Sequence, residues 1–324
     1  MVEYRTIAGT RFYDRKQEVE LVRERCIRGS TYTILFGPWN TGKSEILRYI
    51  AWILSREDYL VVYIDTRRYL GEKTVSIYPW NTSTKKIVEA IRELIGLPEG
   101  IYRLFMESYR FIRNRLGKGV VWIIDEPYYL SHPRAFLEAL AKDTIYTHYE
   151  KPVSTVIAVS EGSFIKSRDL WSLVSYGCEP VLVEGLDYSS FKMFIEELLS
   201  IRNQALDIGI RELYEKYTNG VPGAAISLLE DGLKKWVNRH KTILFHVLDT
   251  IEYKYGVSRE AVLEFIASLP RHKPVENIPH SVIEALIDYN IVYYNPLMEK
   301  PLIKPQIPVY KTIALELLGR RDSI

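Results

Sequence analysis

The sequence predicts an α/β fold with a parallel, doubly wound sheet. Short apolar runs rich in β-branched residues alternate with helical patterns from about residue 30 to about residue 185, as expected when a crossover helix follows each strand. One run leads into a loop bounded by two glycines, and another ends in two adjacent carboxylates. From Asp187 onward the patterns are mainly helical, which indicates a change of architecture.

Composition narrows the class of protein. The chain has 324 residues, of which 47% are hydrophobic and 26% are charged, and this fits a globular protein of two or three domains. The net charge of +2 gives no strong field for a nucleic acid or membrane. Two cysteines and six scattered histidines predict neither a disulfide framework nor a zinc site. The sequence has no apolar stretch long enough to span a membrane and no apolar core of a signal peptide. We therefore expect a cytoplasmic location without membrane association.

The glycine-bounded loop has the spacing of a P-loop between a strand and a helix. Its backbone N–H groups would surround phosphate oxygens, and the helix N-terminus would face the same anion. We expect Lys43 to contact the β- and γ-phosphates of ATP, or the β-phosphate of ADP, and Ser44 to ligate Mg²⁺. The predicted nucleotide-binding loop consists of eight consecutive residues: Gly37, Pro38, Trp39, Asn40, Thr41, Gly42, Lys43 and Ser44.

The paired carboxylates end the apolar run Val120–Ile124. Ligands of parallel α/β sheets bind at the carboxyl ends of the strands, where this pair would lie. Asp125 is predicted to hold Mg²⁺, and Glu126 to orient and deprotonate the attacking water. Pro127 follows directly, and its ring is expected to bias Glu126 toward an extended backbone.

Four further features have two interpretations each. Ser160, at the end of the next strand, either senses the γ-phosphate or caps a helix. Arg168 either stabilises the transition state or is an ordinary surface arginine. Arg15 either lines the nucleotide pocket or belongs to a helix that covers the sheet edge. The irregular stretch Thr66–Thr84 is either a binding loop or a plain connection.

A second glycine-containing turn lies within the helical region. Gly220 and Pro222 suit the end of one helix and the start of the next, which is predicted over Ala224–Trp236. Alternatively, this turn closes over the base of the nucleotide.

The last region predicts a winged helix, with three helices followed by strands at Ile291–Tyr294 and Pro308–Lys311. From residue 241 onward, ten Lys and Arg residues balance ten Asp and Glu residues. The helix that would read DNA carries Glu284 and Asp288 but no Lys or Arg, whereas DNA readers show a basic face. We therefore favour a regulatory or protein-contacting winged helix over one that reads DNA.

Four motifs in this order resemble the archaeal ATPase family, in the STAND branch of P-loop NTPases related to AAA+ proteins. They are Phe12–Glu18, the P-loop, the Asp125-Glu126 pair and the Gly220-Val221-Pro222 turn. The resemblance implies a core sheet with strand order 5-1-4-3-2, a helical lid and a C-terminal winged helix. It also implies that Arg15 and Pro222 lie beside the nucleotide.

The sequence therefore predicts three domains: a P-loop ATPase core over 1–186, a lid over 187–238 and a winged helix over 239–324. The predicted function is that of an ATP-binding, Mg²⁺-dependent ATPase acting as a molecular switch. Its expected partners are the nucleotide and either a protein or a second copy of the chain. The alternatives are a DNA-associated ATPase and a nucleotide-binding scaffold with almost no hydrolysis.

Overall fold

Two units make up the chain in the computed structural model, which describes residues 3–66, 118–129, 133–146, 151–160, 177–271, 278–295 and 302–320, and the backbone of 75–78. The first unit consists mainly of Arg15–Gly37 and Lys43–Val183. The second consists of Arg5–Asp14, Pro38–Gly42 and Glu184–Ile324.

A six-stranded sheet forms the centre of the first unit. Its spatial order is β3-β2-β4-β5-β1-β6, and every neighbouring pair except β2 and β3 is parallel. Counted along the chain without β3, the parallel strands follow the order 5-1-4-3-2, which confirms the prediction. The strands are β1 (Tyr32–Gly37), β2 (Tyr59–Asp65), β3 (Val75–Tyr78), β4 (Gly119–Asp125), β5 (Val153–Ser160) and β6 (Glu179–Leu182).

Strand β3 corrects the expectation of an irregular stretch over Thr66–Thr84. It pairs antiparallel with β2 at the edge of the sheet, where Val75 faces Ile64 in the register. A four-residue strand offers too few positions for its period of two to be recognised in a sequence. The sequence also predicts helices over 85–96 and 101–116, and both ranges lie outside the described residues.

Burial explains why the central strands have nearly continuous apolar sequences. Every residue of β1, β2 and β4 is buried, because helices cover both faces of a parallel sheet. Trp122, Tyr32 and Phe36 are among the largest fully buried side chains, and burial of each such side chain contributes roughly 1.5–3 kcal/mol. In the described part of this unit, the α-helices are α1 (Lys16–Arg28), α2 (Lys43–Arg56) and α3 (Pro133–Tyr146).

The second unit is mainly helical, as predicted. Asp187 caps its first helix, and the carboxylate accepts a hydrogen bond from the N–H of Ser190 at 2.7 Å. The predicted helix Ala224–Trp236 is wrong, because Gly232 at φ +75° separates two helices. The helices are α4 (Tyr188–Arg202), α5 (Pro222–Asp231), α6 (Leu233–Tyr255), α7 (Arg259–Ala267), α8 (His280–Asp288) and α9 (Val309–Leu317). A short turn, Ile210–Glu212, leads into a π-helical segment, Leu213–Thr218.

The C-terminal hairpin differs from its prediction in one strand. Strand β7 (Val292–Asn295) pairs antiparallel with β8 (Leu302–Pro305), which lies before the predicted strand Pro308–Lys311. Residues Val309 to Lys311 begin α9 instead, since Pro308 fits the start of a helix, where no backbone N–H is required. The predicted boundary at residue 238 falls inside α6. Among the described residues, no helix has the length and apolarity to cross a membrane.

Gly220 offers a test of how closely this unit is packed. A Cβ at Gly220 would lie 2.0 Å from the carbonyl oxygen of Leu186, and its φ is +74°. Gly220→Ala should therefore cost about 1–2 kcal/mol for the backbone and a further 1–3 kcal/mol for the overlap. Urea denaturation followed by circular dichroism measures this loss. Gly256→Ala is the control, because φ is +66° and a Cβ there meets nothing within 4 Å. Equal losses would contradict the close approach.

Candidate functional site

The P-loop runs from the last residue of β1 to the first turn of α2. Its backbone has positive φ at Gly37 (+152°), Asn40 (+64°) and Gly42 (+95°). A Cβ at Gly37 would lie 2.2 Å from the carbonyl oxygen of Val183, so only glycine fits. A Cβ at Gly42 would meet nothing within 4 Å, so the constraint there is the backbone conformation.

Lys43 is buried at the first position of α2. Its ammonium donates a hydrogen bond to the carbonyl oxygen of Gly37 at 2.9 Å. Within the loop, the Thr41 hydroxyl donates to the carbonyl oxygen of Pro38 at 2.9 Å. Ser44 follows in the first turn of α2 and is half-buried. These hydrogen bonds stabilise the loop, and the first of them places the Lys43 ammonium beside the Gly37 carbonyl.

Asp125 is almost fully buried at the carboxyl end of β4. The Tyr63 hydroxyl donates to its Oδ2 at 3.2 Å. Tyr63 belongs to β2, which lies beside β4 with Asp65 opposite Asp125 in the register. A tyrosine from the neighbouring strand therefore helps to orient this carboxylate.

Glu126 corrects the prediction of an extended backbone. Its φ is +55°, in the left-handed region, where a non-glycine residue costs about 1–3 kcal/mol. Its N–H donates to the carbonyl oxygen of Ala158 at 2.8 Å. The Thr66 hydroxyl lies 3.1 Å from the carbonyl oxygen of Asp125 and contacts that of Glu126 more closely. These tertiary bonds outweigh the local preference that Pro127 imposes.

Ser160 lies between the acid pair and the first residue of the P-loop, at the end of β5. It lies opposite Gly37 in the β1–β5 register, and its backbone N–H lies 3.4 Å from Oε2 of Glu126. The first glycine of the loop and the predicted water-activating carboxylate therefore lie at the ends of β1 and β4, the two strands that flank β5. Arg168, interpreted either as a transition-state arginine or as an ordinary surface arginine, lies outside the described residues.

Arg15 and Pro222 lie in different units. Arg15 is buried at the N-cap of α1, has φ +71° and contacts the Glu18 carboxylate at 3.2 Å. Pro222 begins α5, as the helix-start interpretation predicted. Their predicted places beside a nucleotide remain predictions.

Sequence reasoning did not single out Tyr63 or Thr66. A signal was available, because polar residues at the carboxyl end of β2 must lie beside the acid pair once β2 and β4 are adjacent. Neither residue belongs to a recognised motif, so only the strand order points to them.

The donors near the loop suit Mg²⁺. Ser44 and Asp125 offer hard oxygen ligands, and Mg²⁺ commonly takes one or two protein oxygens together with phosphates and water. In the described part of the chain no group of three or more His, Cys, Asp or Glu side chains could hold a metal. A cation held here would thus depend on phosphate oxygens for much of its coordination.

Comparison with known families identifies the core. The model of an ATPase domain predominantly from Archaea matches residues 12–228. The chain belongs to this family. Within this archaeal ATPase domain lie the P-loop, the acid pair and the Gly220-Val221-Pro222 turn. The chain is accordingly a nucleotide-binding ATPase.

Individual relatives are distant. The chain is 22% identical to an ATP-binding protein of Methanocaldococcus jannaschii over 91% of this chain and 95% of that protein. Among solved structures, it is similar to the Aeropyrum pernix ORC2 protein in ADPNP and ADP complexes, with 11% identity, a TM-score of 0.48 and coverage of 98% and 97% of the two chains. It is also similar to Cdc6p of Pyrobaculum aerophilum, with 14% identity, a TM-score of 0.44 and 96% coverage of each chain.

The Thr66 hydroxyl can be tested by substitution. Thr66→Val removes the donor at nearly constant volume, so Glu126 loses a bond that holds its backbone. We expect ATP turnover to fall about tenfold, equivalent to about 1.4 kcal/mol, with ADP affinity changed less than about threefold. Thr66→Ser keeps the hydroxyl and should restore most of the rate. A Val variant with normal turnover would contradict this role.

Proposed function

We propose that the protein is an ATP-binding, Mg²⁺-dependent ATPase of the STAND type that acts as a molecular switch. The main support is the arrangement of three neighbouring strand ends. Gly37 ends β1, Ser160 ends β5, and Asp125 ends β4, and the next residue, Glu126, is hydrogen-bonded to Ala158 and Ser160 of β5. Phosphoryl transfer needs positioning and charge stabilisation at one such place.

The proposed roles follow from the chemistry of each group. The loop amides and Lys43 bind the β- and γ-phosphates, for which the Lys43 ammonium exchanges its bond to the Gly37 carbonyl for a stronger bond to an anion. Ser44 and Asp125 hold Mg²⁺, which when bound neutralises phosphate charge. Glu126 orients a water molecule and takes its proton, and the products are ADP and phosphate.

The switch is proposed to involve the regions beyond the core. Under this proposal residues 1–186 form the ATPase core, 187–238 a lid and 239–324 a winged helix. The γ-phosphate would bias closure of the lid and winged helix, as in other nucleotide-driven transitions. Arg15 and Pro222 would contact the nucleotide. The partner would be another protein or a second copy of the chain.

A DNA-associated ATPase is the second candidate. Helices α6, α7 and α8 followed by the β7–β8 hairpin have the element order of a winged helix, a common DNA-binding module. The balanced charge after residue 240 disfavours it, and α8 carries Glu284 and Asp288 without Lys or Arg. Turnover stimulated by duplex DNA, with steep salt dependence, would reverse this preference. Tight ATP binding without any turnover would favour a scaffold.

Glu126→Gln tests the proposed reaction. The amide cannot accept the proton of the attacking water, so turnover should fall by about 10²–10⁴-fold while ATP binding is retained. Steady-state phosphate release and equilibrium ATP binding are the two measurements. Glu260→Gln, at an exposed position in α7, is the matched control and should leave both unchanged. Unchanged turnover in the Glu126 variant would refute the assignment.

A further inference from the structure

A third carboxylate lies at the strand end next to the acid pair. Asp65 ends β2, and in the parallel register it lies opposite Asp125, which ends β4. Neighbouring strands lie about 4.8 Å apart, and residues in register on parallel strands direct their side chains to the same face. Tyr63 lies two residues before Asp65, on the same face of β2, and its hydroxyl lies 3.2 Å from Oδ2 of Asp125. The Asp65 carboxylate therefore lies on the face of the sheet that carries Asp125.

The P-loop helix α2 packs against this end of β2. The Arg48 guanidinium of α2 lies 3.8 Å from Oδ2 of Asp65. Arg48 follows Ser44 by four residues, and residues at this spacing share one face of a helix. Asp65 therefore faces the side of α2 that begins with Ser44, the residue expected to ligate Mg²⁺. All of these residues belong to the first unit.

Burial makes ionised carboxylates costly unless positive charge or hydrogen bonds compensate them. Asp65 is 5% exposed and Asp125 is 1% exposed. The Arg48 guanidinium is shared between two carboxylates, because it also lies 3.5 Å from Oε2 of Glu45. Two adjacent buried carboxylates suit a divalent cation, whose charge and bound water stabilise both of them.

The coordination chemistry of Mg²⁺ assigns different parts to the two carboxylates. Mg²⁺ is bound by one or two protein oxygens together with phosphate, and it keeps several of its water molecules. Groups around a metal site commonly hold its ligands by hydrogen bonds, and such groups alter metal affinity. Ser44 and Asp125 are the proposed direct ligands. Asp65, on the neighbouring strand, can accept hydrogen bonds from the coordinated water.

We propose that Asp65 is a positioning residue of the proposed Mg²⁺ site. Its carboxylate accepts hydrogen bonds from water bound to the cation that Ser44 and Asp125 hold. Its negative charge raises the affinity of the nucleotide-bound protein for a divalent cation, and Arg48 offsets part of that charge when the cation is absent. This inference rests on the proposed function, to which the Mg²⁺ site and its nucleotide belong.

The affinity for ADP with and without Mg²⁺ tests the proposal without any hydrolysis. Calorimetric titration gives the Kd for ADP in EDTA and in excess Mg²⁺, and the first Kd divided by the second is the Mg²⁺ coupling factor. The affinity of free ADP for Mg²⁺ cancels when two protein variants are compared. Asp65→Asn removes the charge at nearly constant shape, so the coupling factor should fall about tenfold.

The two conditions should change in opposite directions in Asp65→Asn. In Mg²⁺, ADP should bind more weakly, because the cation is held less tightly. In EDTA, ADP should bind about two- to fivefold more tightly, because one negative charge no longer repels the phosphates. A purely structural role of Asp65 would weaken binding in both conditions. Tighter binding in EDTA also shows that the variant is folded.

Two further variants serve as controls. Asp58→Asn removes an exposed carboxylate just before the opposite end of β2, roughly 20 Å away along the strand, where salt screens its charge. It should leave the coupling factor within twofold of wild type. Arg48→Met tests whether Asp65 serves only as a partner for Arg48. In that case both variants would lower the coupling factor equally, whereas our proposal predicts no decrease for Arg48→Met.

Three results would overturn the proposal. The first is an unchanged coupling factor in Asp65→Asn; if Asp125→Asn lowers it in the same assay, the proposed function still stands. The second is weaker ADP binding by Asp65→Asn in both conditions, or an equal decrease in Arg48→Met, either of which would show a structural role. The third is the absence of Mg²⁺ coupling in wild type, which would refute both this inference and the proposed Mg²⁺ dependence.

Discussion

The parallel register of β1, β5 and β4 is the constraint on which the candidate site depends. Gly37 lies opposite Ser160, and Asp125 lies opposite Ala158, so residues far apart in sequence end their strands at one edge. The helices that bury both faces of the sheet fix this register. A shift of one strand by one residue would turn each of its side chains to the opposite face of the sheet. The geometry of the P-loop and acid pair therefore follows from core packing.

At the end of β4, Glu126 has a left-handed backbone conformation that the following proline disfavours. A left-handed backbone before proline persists because Thr66, Ala158 and Ser160 all bond to this residue or to its neighbour. Backbone strain of this kind is common at functional sites, where the surrounding structure maintains it. The backbone of Glu126 is thus held by β5 and by the residue that follows β2.

The sequence predicted the features that local signals determine. The P-loop spacing, the acid pair and the alternating strands define the core, whereas its strand order was implied only by the resemblance to the archaeal ATPase family. Prediction failed where tertiary contacts decide: the edge strand β3 is short, and Val309 and Tyr310 resemble a strand although Pro308 starts a helix. Thr66 was missed for the same reason, since its importance depends on contacts with β4. The roles of the predicted site residues remain predictions, and Arg168 lies beyond the described residues.

The most direct test of the account is the affinity of the protein for Mg·ATP with and without the Lys43 ammonium. Calorimetry on wild type and Lys43→Ala measures it, with the exposed Lys118→Ala as control. Loss of a charged hydrogen bond costs about 1.5–3 kcal/mol, so the Kd should rise about 10- to 150-fold for Lys43→Ala and not for Lys118→Ala. Equal affinities in all three proteins would contradict a phosphate site at this loop.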